Sequence, residues 1–312
     1  MARRVDVDAG MAVEQGAYHP GLSQLLENRH VLGVLFVLPV VFLLGVFLAY
    51  PFLLGLWLSF TDTLIGAKGH FVGLRNYLNV LGDPMFRLVT FNTFLYTTVA
   101  VVFKLVLGLI LALVLNREFR FKGLIRAIVL LPWIVPTVLS AISFWWMYDS
   151  SFSVITWVLK GAGLVSRPID FLGEPNLARV SVIIANIWRG VPFFAIGLLA
   201  GLQTISPSLY EAAQIDGAGG WKRFRYITLP LLTPLVIVVT VFSTIWTFSD
   251  FQLVWVITKG GPVNATHLYG TWAYQRAIQG GMFGEGAAIS NFIFPVLLVC
   301  VIVSFLYLRK EE

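Results

Sequence analysis

The sequence predicts an all-α integral membrane protein with six transmembrane helices. Three observations carry that prediction. Of the 312 residues, 58% are hydrophobic and only 12% are charged, with a mean hydropathy of +0.82. Soluble domains average about 45–50% apolar and about 25% charged residues. Six stretches, at about 31–58, 92–115, 124–148, 179–203, 231–257 and 288–308, are long and apolar enough to cross a bilayer. A spanning helix needs roughly 20 such residues. The basic residues also fall in loops in an alternating manner, which is how orientation is written into a multi-pass chain.

The first 30 residues are polar and read as a cytoplasmic N-terminal arm, leaving 31–312 as the six-span domain. The first apolar run is too long and too far from the start to be the core of a cleaved signal peptide. Arg117, Arg120, Lys122 and Arg126 crowd the short loop after the second span. Lys222, Arg223 and Arg225 lie between spans four and five, and Arg309 and Lys310 follow the last. These groups and the arm fall on one side, so the positive-inside tendency puts both termini and the 206–230 loop in the cytoplasm. The three loops on the other side are longer. One carries a short helix near Leu74–Val80, and another a Gly-Gly-Pro turn followed by an amphipathic stretch near His267–Ile278.

Composition excludes several classes. The net charge of +6 is accounted for by the loops and does not point to nucleic acid. A single cysteine, Cys300, forms no intrachain disulfide, and four scattered histidines make no metal-ligand pair. No phosphate loop of the form G-x-x-x-x-G-K-[ST] occurs, since in "GAGGWK" Trp221 precedes Lys222 and no Ser or Thr follows. An enzyme embedded in the membrane would need paired carboxylates, clustered histidines or a nucleophile with its base, and none is present.

The segment "EAAQIDGAGGWKRFRYITLP", Glu211 to Pro230, stands out between two apolar spans. Ser206 and Pro207 suit a helix start, and Ser208 with Glu211 has capping-box spacing. Gly217 suits a left-handed C-cap. A second short helix over "WKRFRYI" would place Trp221 and Phe224 one turn apart, with Pro230 closing it. Helices of two turns are marginal alone. The segment is therefore either an elbow that docks into a cytoplasmic partner or an interfacial helix held on the bilayer by Arg and Trp.

Charges within spans are costly, roughly 2.5–3.5 kcal/mol at a helix centre. Lys104, Arg189 and Asp250 each call for a partner or an aqueous cavity. Lys104 suits snorkelling or structural pairing, and Arg189 with Asp250 could form a buried pair that fixes helix positions. Ser243, Trp246, Thr247 and Asp250 share one helical face, and Asn186, Arg189 and Phe193 form another. Rings that stack on C–H faces and polar groups that bond hydroxyls suit a sugar, although aromatics in spans are more often ordinary packing. Gly197 and Gly201 allow close helix approach, and Pro132 and Pro136 kink the third span.

The 211–230 segment resembles the EAA loop of binding-protein-dependent ABC importer permeases. Glu211, Ala212, Ala213, Gly217, Ile227, Leu229 and Pro230 fill every fixed position of that pattern, with Asp216 beside them. "FSDFQLVWVITKGGP", "LLPWIVPTVLSAISFWWMY", "IWRGVPFFAIGLLAGLQTISPSLYEAA" and "FVGLRNYLNVL" are similar to the maltose-type carbohydrate permeases, the Gly-Gly-Pro variant to their first type. The resemblance runs from about residue 73 onward. It implies the type I importer core, with the coupling helix between core helices five and six, here spans four and five. It implies as partners a second permease subunit, two ATPase subunits and an external solute-binding protein, in a bacterial inner membrane. ATP and Mg²⁺ would be used by the ATPases, with no cofactor bound by this chain and no metal. Gly260, Gly261 and Pro262 become a candidate binding-protein contact. The alternative is an ion-coupled secondary carrier or passive channel, which needs no docking elbow.

Overall fold

The computed structural model describes residues 29–309; the polar arm before Arg29 and residues 310–312 lie outside the described residues. Among these there is no strand, only the isolated bridges Thr61–Phe71 and Leu64–Met282. The helices are α1 (Arg29–Leu44), α2 (Tyr50–Ser59), α3 (Arg75–Gly82), α4 (Pro84–Leu115), α5 (Lys122–Ile134), α6 (Thr137–Tyr148), α7 (Val154–Gly161) and α8 (Pro175–Thr204). They continue as α9 (Pro207–Ile215), α10 (Gly220–Arg223), α11 (Leu229–Phe248), α12 (Gln252–Thr258), α13 (Tyr269–Tyr274), α14 (Phe283–Asn291) and α15 (Ile293–Leu308).

The chain divides into two units, Met1–Leu54 and Gly55–Glu312. The described part of the first is helical, and α1 buries none of its side chains. A helix that is apolar all round, such as "VLGVLFVLPVVFLL", belongs in lipid rather than at the edge of an aqueous core. A π-helical turn over Gly45–Ala49 links it to α2.

In the second unit α4, α8 and α11 pack on one another. Small residues set the spacing. A Cβ on Gly108 would lie 2.3 Å from the Cβ of Phe194, and one on Gly201 would meet Leu235 and Leu232 at 2.6 and 2.8 Å. A Cβ on Gly197 would lie 3.0 Å from Val239. The small-residue spacing on α8 thus serves contact with α11. Around these approaches Leu115, Phe194, Leu198, Leu202, Leu232 and Val239 form one buried cluster. A second joins Tyr96, Phe144, Tyr148, Val182, Leu253 and Ile257.

Among the described residues, five helical segments are long and apolar enough to cross a membrane: Arg29–Ser59, Pro84–Leu115, Pro175–Thr204, Gly220–Phe248 and Phe283–Tyr307. The sixth stretch is α5 and α6, bent by 87° at their break. The sequence suggested a kinked span there. Val135 is instead fully extended (ψ 130°) ahead of Pro136, which excludes the helical conformation from the residue before it.

Other boundaries moved for identifiable reasons. α4 starts at Pro84 rather than near residue 92, because the Asp83 carboxylate caps Met85 N–H at 2.8 Å and Pro84 fits the first turn. α8 likewise starts at Pro175, with Glu174 capping Leu177 N–H at 2.8 Å. Hydropathy sees the apolar middle of a span and misses first turns interrupted by a charge, here Arg87 and Arg179. The fifth span was expected to run to residue 257, yet α11 stops at Phe248 and α12 restarts at Gln252. No separate second helix forms over "WKRFRYI" either. α10 passes through a π turn at Phe224–Thr228 directly into α11, and Pro230 sits in a first turn that it does not disrupt.

The Gly108 approach makes a measurable demand. Gly108→Val should force α4 and α8 apart and destabilise the protein by about 1–3 kcal/mol. A clear drop in the thermal unfolding midpoint of the detergent-purified protein is expected; an unchanged midpoint would mean that the two helices are not held at this spacing.

Candidate functional site

A cavity of about 520 Å³ opens between α4, α5, α6, α8 and α11. Asn186, Arg189 and Phe193 enter it from α8, and Ser243, Trp246 and Thr247 from α11. Asp250 joins them from just beyond the end of α11. All seven residues of the two polar faces therefore line one space.

Asp250 occupies the break between α11 and α12. Its Oδ2 accepts hydrogen bonds from Tyr96 Oη at 2.7 Å and Asn186 Nδ2 at 3.0 Å. Its Oδ1 faces Leu253 N–H at 3.3 Å, in the manner of a cap on α12. A single carboxylate thus ties α4, α8 and the α11–α12 junction. No ion pair links it to Arg189 among the described residues; the pairing weighed from the sequence gives way to a neutral hydrogen-bond set. Arg189 instead lies with its Cζ 5.7 Å from the Trp133 ring centre, a cation–π placement.

Lys104 is only 4% exposed. Its Nζ donates to Thr247 Oγ1 at 2.9 Å, and Thr247 donates in turn to Ser243 O at 2.6 Å. Gly190 makes room for it, since a Cβ there would lie 2.5 Å from the lysine Cε. Lys104 therefore does not snorkel to a helix end. It is buried against a hydroxyl and borders the cavity. Three rings form the apolar wall: Trp133 stacks on Phe193 at 5.1 Å, Trp246 lies 5.5 Å from Trp133, and Phe193 meets Trp246 edge-on at 5.1 Å. The rings pack on each other and face the cavity at once. Asn186 Oδ1 and Arg189 Nε are buried without a hydrogen-bond partner among the described residues, which is the exception for buried polar atoms.

Tyr96, Trp133 and Gly190 have no part in the sequence reading of the site, and Lys104 enters it only as a charge that needs a partner or a cavity. Tyr96, Ala100, Lys104 and Gly108 follow a four-residue spacing on one ridge of α4, so the polar members of that ridge were visible in the sequence. Trp133 entered the site because the chain breaks beside it, which no periodicity shows.

A second candidate region is the loop 206–230. α9 is one short helix ending at Ile215, and Gly217 just beyond it has the left-handed conformation expected of it, with φ +77°. Gly217 N–H bonds Gln214 O at 3.0 Å, and Ala218 N–H bonds Ala213 O at 2.8 Å. Glu211, Ala212 and Asp216 are exposed, Ala213 and Ile227 half-buried, Leu229 half-buried and Pro230 exposed. Ser206 precedes α9 without a side-chain cap bond, its hydroxyl meeting that of Ser208 at 2.8 Å. Among the described residues one side-chain hydrogen bond joins α9 to the foot of the fifth span: Tyr210 Oη lies 3.0 Å from Thr228 Oγ1.

The third region is the Gly-Gly-Pro turn. Gly260 (φ +89°) is buried face-on against the His267 ring, where a Cβ would lie 2.2 Å from Cε1. Thr266 Oγ1 donates to Gly261 O at 2.7 Å and meets Thr258 Oγ1 at 2.6 Å. Gly261 and Pro262, joined by a cis peptide bond, are half-buried. The exposed tip is the next residue, Val263, at 85%. The triplet shapes the turn, and its neighbour presents the surface.

Residues 104–309 match the family described as binding-protein-dependent transport system inner membrane component. The chain is 40% identical over 282 residues to the trehalose/maltose transport system permease protein MalF of Thermococcus litoralis, covering 90% of this chain and 95% of that protein. Its fold is similar to a bacterial ABC transporter involved in the import of the acidic polysaccharide alginate, with a TM-score of 0.79, 26% identity, and 93% and 98% of the two chains covered. It is also similar to a bacterial alginate ABC transporter in complex with an alginate pentasaccharide-bound periplasmic protein, with a TM-score of 0.77, 25% identity, and 91% and 95% covered.

His267 supplies a pH test. It is 1% exposed, with Nδ1 3.1 Å from Thr271 Oγ1, and burial pushes its pKa down from 6.5 to about 4. The unfolded chain therefore binds a proton that the folded chain refuses between those two values. Stability should be complete above pH 6.5 and fall as pH drops toward 4, by up to about 3 kcal/mol. Unfolding midpoints of wild type and His267→Asn between pH 7.5 and pH 4.5 check this, in about five steps. The variant should start lower and show a shallower slope; equal slopes would remove the assignment.

Proposed function

The chain belongs to the family of binding-protein-dependent transport system inner membrane components, and on that footing we propose how its residues divide the work of transport. It is the membrane-spanning subunit of an ABC sugar importer. Its family is one of permeases rather than enzymes. In our reading the chain forms half of the translocation path for a sugar, oligosaccharide or related polyol. Its partners are a second permease subunit, two ATPase subunits and an external solute-binding protein. ATP and Mg²⁺ act in the ATPases, and both termini and the 206–230 loop lie in the cytoplasm of a bacterial cell.

The observation that carries the path is the convergence of Asn186, Arg189, Phe193, Ser243, Trp246, Thr247 and Asp250 on one cavity. The wall of Trp133, Phe193 and Trp246 offers faces for sugar C–H groups. Asn186, Ser243 and Lys104 offer partners for hydroxyls. Such a site holds solute weakly and releases it, as a transport site must.

Coupling is assigned to Glu211, Ala212, Ala213, Asp216, Gly217, Ile227, Leu229 and Pro230. The exposed face of α9, with small alanines, suits insertion into a groove of an ATPase. Closure of the ATPases on ATP would move α9, and the Tyr210–Thr228 contact would pass that movement to the fifth span. Alternating access is then a shift between two populations driven by nucleotide. At the other end, Gly260–Pro262 hold the turn that offers Val263 to the binding protein. A secondary carrier or passive channel is not favoured, since neither uses an ATPase-docking elbow.

Two experiments separate path from coupling. Trp246→Ala should raise the half-saturating solute concentration about fivefold to tenfold in proteoliposomes, the loss of an aromatic contact of about 1 kcal/mol. The assembled complex should remain intact. An unchanged concentration dependence would remove Trp246 from the path. Gly217→Pro or Glu211→Lys should instead abolish substrate-stimulated ATP hydrolysis and weaken co-purification with the ATPase, while membrane insertion persists. Wild-type behaviour of both would remove the coupling assignment.

A further inference from the structure

A groove of about 850 Å³ lies between the C-terminal half of α4 and the start of the fifth span. It is distinct from the central cavity. Its floor is apolar, with Leu109 and Leu113 from α4 and Val236 from α11. At one end the lining changes character to Arg117, Arg223 and Trp221. Trp221 is 74% exposed, and the neighbouring Val106 and Ile110 on the rim are about half exposed.

Arg117 is exposed and Arg223 half-buried. Among the described residues neither forms an ion pair, and Arg223 Nε is buried without a hydrogen-bond partner. The buried Nε of Arg223 calls for an acceptor of negative charge, and Arg117 adds a second cation to the same lining. The flanking helices are both membrane spans, so whatever fills the groove must be apolar along its length. An occupant that is long, apolar and acidic at one end is an anionic phospholipid. Basic pockets between spans at the cytoplasmic side recognise such headgroups, and an exposed Trp at the same level suits the interface.

We propose that an anionic phospholipid occupies this groove, its chain on Leu109, Leu113 and Val236 and its phosphate between Arg117 and Arg223. The position has a consequence for coupling. Tyr210 and Thr228, a hydrogen-bonded link between α9 and the fifth span, line the same groove. The lipid braces that link, so the efficiency of coupling depends on the anionic lipid content of the membrane.

The full transporter in nanodiscs of phosphatidylcholine, with or without phosphatidylglycerol, tests this. Native mass spectrometry counts the retained phosphatidylglycerol, and substrate-stimulated ATP hydrolysis reads the effect. Wild type should retain phosphatidylglycerol and hydrolyse faster with it. Arg117→Gln and Arg223→Gln should each lower retention about fivefold and flatten the lipid response. Arg309→Gln, a basic residue outside the groove, should change neither. If the glutamine variants fail to assemble, Leu109→Trp fills the floor with the charges intact and should give the same loss. Retention and lipid response equal to wild type in these variants would overturn the proposal. So would a wild type that retains no phosphatidylglycerol, or cross-linking of Ile110→Cys to a helix of the second permease in place of lipid.

Discussion

The Asp250 carboxylate, half-buried where the fifth span breaks, is the constraint around which the site is arranged. One side of it borders the cavity, and on the other a carboxylate within a span needs hydrogen-bond donors from the protein. Tyr96 on α4, Asn186 on α8 and the start of α12 supply them. Three helices are thereby registered against each other by one side chain. The same requirement accounts for Lys104, whose ammonium reaches Thr247 through the slot left by Gly190. With those bonds made, Arg189 and the three rings are left to border the open space.

Much of this was legible in the sequence. Apolar length marked every span, and the spacing of polar residues on spans four and five marked the cavity lining. The shared face held although Asp250 lies beyond the helix, because it falls within one turn of the end of α11. What was hidden depended on tertiary placement or on breaks. The sharp bend at Pro136 carried Trp133 into the cavity, and only the packing of α4 on α8 brought Lys104 there and Tyr96 against Asp250. The caps at Asp83 and Glu174 lengthened two spans into sequence interrupted by a charge, which hydropathy scores as loop.

The glycines divide into two kinds of necessity. Gly217 and Gly260 supply left-handed backbone, one ending α9 and the other turning the chain beneath His267. Gly108, Gly190 and Gly201 have ordinary helical conformations and are needed for what they lack, since a Cβ at each would collide with a neighbouring helix or side chain. A left-handed glycine is readable from its turn signature. A glycine needed for close approach resembles an ordinary weak point in a helix until the partner surface is known.

The absence of a joint between α10 and α11 has a mechanical consequence. From Gly220 to Trp246 the backbone is one rod, about 39 Å long at the usual rise per residue. Pivoted near its middle, such a rod swings its far end by about 2 Å for each 6° of tilt. The aromatic wall and the foot of the elbow must then move in opposite directions, like the two arms of a seesaw, and the π turn at Phe224–Thr228 lies on the arm nearer the driven end.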